Sequence, residues 1–259
     1  LFSRQQPVGY GIEEVLDLIV DGFPSPLMHS VPFVESLRDG REIKVQAEKS
    51  APLVAEVVKT ISDSYLGRIS IVRVFSGKMR MDDVVHVSGH FSESSSHEDH
   101  DADEKLGAIH ALFGKTLRPT TEAIAGDIVA VTRLATAETG DTLSDKSNPV
   151  LMPSWQMPVP LHPMALVAHA KADEDKLAQS LHRLIAEDPC VRLERNSETH
   201  QTVLWTLGDS HLEVVMDRLK NRFGVTVDSV AFKVPLRETF AKAASGHGQH
   251  VKQSGGHGQ

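Results

Sequence analysis

By hydrophobic period, residues 161–230 read in the order strand, helix, strand, strand, helix, strand, and this pattern constrains the fold more than any other feature. The run 161–170 is short and apolar between Pro160 and Lys171, as a buried strand would be. Asp173 stands where an N-cap belongs, and Leu177, Leu181, Leu184 and Ile185 fall on one helical stripe that Pro189 ends. Val191 and Leu193, then Val203, Trp205 and Leu207, alternate with polar residues on either side of 196–201, which predicts a hairpin. Ser210 and Glu213 are spaced as a capping box before the stripe Leu212, Val215, Met216, Leu219, Phe223. Gly224 closes that helix and 225–230 supplies a fourth strand. The expectation is a ferredoxin-like plait.

Ahead of it, apolar β-branched runs recur at 53–61, 66–75, 84–91, 106–113 and 128–134, with no helical period between them. Gly67, Gly77, Gly89, Gly107, Gly126 and Gly140 punctuate these runs. That spacing predicts a closed antiparallel barrel of about a hundred residues. The fold class is therefore multidomain α/β, a β-barrel followed by a β-α-β-β-α-β plait. Near the start, Ile12, Val15, Leu16, Ile19 and Phe23 form one helical stripe that Pro24 and Pro26 terminate.

A phosphate-cradling loop needs two glycines, a Lys and a hydroxyl ahead of a helix. Gly114-Lys-Thr116 lacks the first glycine, which Ile109 replaces, and 117–121 reads as a turn. Asp145-Lys-Ser-Asn148 is likewise only a loop look-alike of a base-recognition motif. No catalytic residue, metal or cofactor is assigned to the chain. The single Cys190 excludes an internal disulfide framework, and no apolar run approaches membrane length. A cytoplasmic protein is expected.

The net charge of −8 has the wrong sign for a surface that meets phosphates. Glu93, Glu98, Asp99, Asp101, Asp103 and Glu104 account for most of it, leaving the remainder at about −2. His97, Asp99, His100, Asp101 and Asp103 have the donor chemistry of a zinc site. A Ser-rich charged segment without apolar anchors cannot offset its ordering entropy, so 92–104 is expected to be a solvated flexible loop.

Several runs carry a resemblance. Asp63-Ser-Tyr-Leu-Gly67-Arg68-Ile-Ser-Ile-Val-Arg73-Val-Phe-Ser76-Gly77, Ala125-Gly126-Asp127-Ile128, Thr139-Gly140-Asp141-Thr142-Leu143, Glu187-Asp188-Pro189, Gly208-Asp-Ser-His211-Leu212, Arg237-Glu238-Thr239 and 253–259 resemble elongation factor G, in the family's order. The resemblance implies a fragment: 1–48 the last helix of a GTPase domain and a linker, 49–150 the domain II barrel, 151–160 a linker, 161–236 domain III, and 237–259 the opening of domain IV. It also implies a monomeric parent that binds GTP and magnesium in its own GTPase domain and acts on the ribosome in translocation of tRNA and mRNA. A tetracycline-protecting ribosomal factor and a ribosome-binding regulatory paralogue without GTP turnover are the alternatives.

Contact with small-subunit rRNA or protein is implied at Arg68, Arg73, His211, Arg237 and Lys252. Arg68 reads equally well as a strand-edge cation in solvent, and His211 as a structural residue. Trp155 and Trp205 are read as packing residues. The chain departs from the family at 206–211, where Gly-Met-Gly-Glu-Leu-His is usual, at His257 in place of Arg, and in the acidic segment. Without a phosphate loop, calorimetric titration of this chain with GTP is expected to show no binding. A micromolar Kd would contradict it.

Overall fold

The computed structural model describes residues 9, 11–28, 33–63, 65–90, 100–114, 116–239 and 241–248. Helix α1 (Ile12–Gly22) forms as its period predicts and buries no residue, so the stripe of Ile12, Val15, Leu16 and Ile19 is exposed. Two short strands follow, β1 (Phe33–Ser36) and β2 (Glu42–Lys44), in a stretch expected to be linker. Val34 explains them: it is buried with Val45, Val54, Val150 and Met152 in a small core of its own.

The barrel region runs through β3 (Val54–Asp63), β4 (Gly67–Ser76), β5 (Lys78–Arg80), β6 (Val84–Ser88), β7 (Asp101–Lys105), β8 (Ile109–Phe113), β9 (Thr116–Thr120), β10 (Glu122–Ile124), β11 (Ile128–Thr132), β12 (Thr142–Asp145) and β13 (Val150–Leu151). Eight of these make one antiparallel sheet in the order β7-β6-β12-β3-β4-β11-β8-β9. No ladder joins β7 to β9 among the described residues, so the hydrogen-bonded sheet is open between those two edge strands. A separate ribbon of β5 and β10 sends Met79 and Ala123 into the same core as Ala55, Val57, Val72, Val85, Ile109 and Val131. Strand β13 pairs with β1 outside that core. Gly114, at φ 58°, lies at the turn between β8 and β9, where Phe113 pairs with Thr116.

The acidic segment needs a correction. Residues 91–99 lie outside the described residues, but 101–104, the end of the expected flexible loop, fall in the edge strand β7 paired along β6. Its carboxylates have partners that composition could not reveal. Asp103 meets His86 at 3.1 Å and Lys146 at 2.8 Å, and Glu104 accepts the Ala135 and Thr136 amides at 2.7 Å. His100 bonds the fully buried Asp141 at 2.7 Å. A charged edge strand also discourages pairing with other chains. Among the described residues no group of three His, Cys, Asp or Glu side chains could hold a metal ion.

The plait comprises β14 (His162–Ala168), α2 (Glu174–Glu187), β15 (Arg192–Arg195), β16 (Thr202–Thr206), α3 (Asp209–Asn221) and β17 (Val227–Val230). Its strand order is β15-β16-β14-β17, antiparallel throughout, and both helices cover Leu166, Val191, Leu204 and Val225. The helix starts differ from expectation. Asp173 precedes α2 without a side-chain cap bond, after a single tight turn at Lys171–Asp173. Ser210 lies inside α3, which begins at Asp209 with Gly208 before it, so no capping box forms.

Barrel and plait meet where β3 ends. The Ser62 amide donates to Glu187 Oε1 at 2.7 Å, Arg222 pairs with Glu187 Oε2 at 2.7 Å, and Arg222 also donates to the Ser62 carbonyl. One barrel residue's backbone is thus gripped by the ends of both plait helices. Glu187 is 6% exposed, so solvent screens the pair weakly. A double-mutant cycle on Glu187→Gln and Arg222→Ala is expected to give a coupling of about 1–2 kcal/mol in urea unfolding. Strict additivity would show that the grip is incidental.

Candidate functional site

The exposed end of the β3–β4 hairpin is built by its own backbone requirements. Asp63 accepts the amides of Leu66 at 2.7 Å and Tyr65 at 2.8 Å, and those bonds hold its carboxyl below the usual range. Gly67 closes the turn at φ 74°, a left-handed conformation that most side chains resist. The result presents Tyr65 at 93% exposure. Sequence reading missed this residue because a ring at a turn tip has no period to betray it.

Arg68 follows directly, and it is neither free in solvent nor isolated. Its guanidinium donates to the Ala135 carbonyl at 2.5 Å and to Glu138 at 3.2 Å, at the mouth of a groove of about 720 Å³ between barrel and plait. The plait side of that groove contributes His182, Arg183 and Arg222. Arg68 is paired with Glu138 and Arg222 with Glu187, and Asp63 also lines the groove, so its cations are largely matched by carboxylates. A phosphate could bind there only by displacing one of those carboxylates.

The other predicted site residues do not converge on Arg68. Arg73 lies opposite Glu56 in the β3–β4 register, its guanidinium 5.1 Å from the Phe75 ring centre. Alternation puts Val72 and Val74 in the barrel core, so Arg73 and Glu56 share the outer surface. Glu56 is nonetheless only 4% exposed. Burial pushes its carboxyl up to about 7, against the pull of a Trp155 side-chain hydrogen bond and the Arg73 charge. Trp155 therefore fastens the segment after the barrel onto the barrel's outside.

His211 uses both ring nitrogens. Nδ1 accepts the Leu207 amide at 3.2 Å, which leaves Nε2 to donate to Asp188 at 3.1 Å. It ties the start of α3 to the end of α2. Arg237 pairs with Glu198 across the plait's exposed side, Nε to Oε1 at 2.9 Å. Lys252 lies outside the described residues. Trp205 packs edge-on to Phe232 with ring centres 5.8 Å apart, and Arg192 stacks on it at 4.9 Å.

Comparisons with known proteins agree on one family. The family described as Elongation factor G domain 2 matches residues 52–146, and Elongation Factor G, domain III matches 157–230. Proteins described as "Elongation factor G-like protein" in two Mycobacterium tuberculosis strains, CDC 1551 / Oshkosh and H37Rv, are each 54% identical over 257 residues. That alignment covers 97% of this chain and 36% of each relative, so the chain spans about a third of their length. A crystal structure from Thermus thermophilus superposes with a TM-score of 0.69 at 30% identity, covering 96% of this chain and 33% of that one.

The Glu56 environment makes a pH prediction. Its folded pKa lies above the unfolded value of about 4.5, so the folded state binds the proton more tightly. Stability from this group is full below pH 4.5 and is lost as pH rises through about 7. Relative to the parent, Glu56→Gln is expected to gain on the order of 3 kcal/mol between pH 4.5 and 8. Urea melts that shift in parallel for both proteins across this range would reject the assignment.

Proposed function

We propose that this chain, which belongs to the elongation factor G family, is the ribosome-docking part of a translational GTPase that moves tRNA and mRNA during protein synthesis. The observation that carries the proposal is the pairing of a domain II barrel with a domain III plait, in family order, in a chain 54% identical to elongation factor G-like proteins over nearly its whole length. GTP and magnesium belong to a GTPase domain of the same parent, which acts in the cytoplasm as a monomer. No helix among the described residues is long and apolar enough to cross a membrane.

In this reading the barrel meets small-subunit rRNA and the plait meets small-subunit protein. The five residues first assigned to contact divide by their surroundings. Arg68 stands at a groove mouth and Arg237 is mostly exposed, so each can trade an acidic partner for a phosphate. Arg73 and His211 act from behind: one supports the outer barrel surface beside Glu56, the other fixes the entry to α3. Lys252 is proposed on sequence alone. A regulatory paralogue without GTP turnover is the second reading, favoured by an acidic edge strand within the segment where the chain departs from the family.

Binding to purified small subunits is expected to weaken steeply with salt, because each neutralised phosphate releases counterions. Arg68→Ala is expected to flatten the slope of log affinity against log salt by about one unit. His211→Ala should leave the slope alone while lowering the melting temperature. Salt-independent binding, or none, would remove the docking assignment.

A further inference from the structure

A second groove, of about 630 Å³, opens on the other side of the β3–β4 turn. Tyr65, Leu66, Met81, His110 and Arg133 are among the residues that line it. The Tyr65 ring is almost wholly uncovered, and Leu66 and Met81 beside it are 43% and 54% exposed. An aromatic face thus stands next to open apolar surface. His110 also lines the groove, and its Nδ1 is shielded from solvent without a hydrogen-bond partner among the described residues.

The charges on the rim are unequal. Lys105 is matched by Asp82 at 2.9 Å, whereas Arg133 has no ion pair among the described residues. Backbone conformation supports a built site. Asp82 (φ 71°) and Arg133 (φ 65°) both hold left-handed positions that cost non-glycine residues about 1 kcal/mol or more, and such strain gathers at ligand sites. Between them Gly107 lets the chain close: a Cβ there would lie 2.2 Å from the Thr132 carbonyl oxygen.

An exposed ring for stacking, apolar side chains beside it in the lining and one guanidinium without an ion pair match a planar base joined to a phosphate. We propose that this groove holds an unstacked nucleotide of single-stranded RNA, its base on Tyr65 over Leu66 and Met81 and its phosphate on Arg133. The inference rests on the ribosome-docking reading and narrows it, since a backbone-only contact would need neither the ring nor the apolar side chains. An RNA duplex keeps its bases stacked and cannot fill the groove.

The test is fluorescence anisotropy of the full chain with a short labelled oligoadenylate and with a hairpin duplex of equal charge. The single strand is expected to bind more tightly. Tyr65→Ala should weaken it about tenfold, Tyr65→Phe should retain it, and Arg133→Asn should flatten the salt slope by about one unit. Asn tolerates the left-handed backbone at 133, and Tyr65 is exposed, so both variants keep the fold. Equal affinity for duplex and single strand, or unchanged binding in Tyr65→Ala, would overturn the proposal. Binding competed away entirely by polyphosphate would do the same. If the parent chain binds small subunits and Tyr65→Ala binds them equally, the groove assignment fails alone. If the parent does not bind them, the docking reading fails with it.

Discussion

The backbone of Ser62 is the point on which the two halves of this chain depend. A strand end normally leaves its last amide and carbonyl to water or to the next turn. Here both are taken by the plait, the amide by Glu187 at the end of α2 and the carbonyl by Arg222 just past α3. Because the barrel's partner groups are backbone, no side-chain rotation in the barrel can release them. Moving the plait would leave a nearly buried Glu187 without partners, a cost well above that of an ordinary surface ion pair. Thr139, which bonds Thr60 at 3.0 Å and sits 3.5 Å from the Ala186 carbonyl, adds a weaker contact on the neighbouring loop.

Legibility in the sequence followed the range of the forces involved. Periodic burial is local, so the plait's helices and strands and the main barrel strands could be read within a few residues. The β1 and β2 strands could not, because such short runs with one buried Val carry no period, and their core is completed by Val150 and Met152, far along the chain. The acidic strand failed for a related reason. Composition counts Asp101, Asp103 and Glu104 as repelling charges, but His86, Lys146 and the amides at 135–136 meet them in three dimensions. Capping went wrong at Ser210 because His211 bonds Leu207 instead, and the chain enters α3 ahead of the expected cap.

The candidate site was half visible. Arg68 was legible as a cation in a family-like motif, yet whether it faced solvent or protein depended on Glu138 and Ala135, which the fold brings in from a distant loop of the barrel. Net charge also misleads at this scale. Several acids are committed to backbone amides or to cations within the fold: Asp63 to its turn, Glu104 to the loop at 135–136, Glu187 to the plait contact and Glu122 to Lys49 and Arg80. Those carboxylates project less field outward than a formal count suggests, and the cations they engage do so as well.

Two grooves flank one turn, and this geometry links the parts. Within the turn Asp63 accepts the Tyr65 and Leu66 amides and Gly67 supplies the left-handed residue. Tyr65 and Leu66 face the groove on one side, while Arg68 and Asp63 face the groove beside the plait. Ser62, one residue before the turn begins, is the residue gripped by Glu187 and Arg222. A displacement of the plait therefore acts on a strand end that leads directly into the residues that present Tyr65 and Arg68. Any ligand bridging both grooves would resist that displacement, and by reciprocity a plait held in place would favour the ligand. The contact between barrel and plait and the residues that line both grooves thus lie within a few positions of one another on a single hairpin.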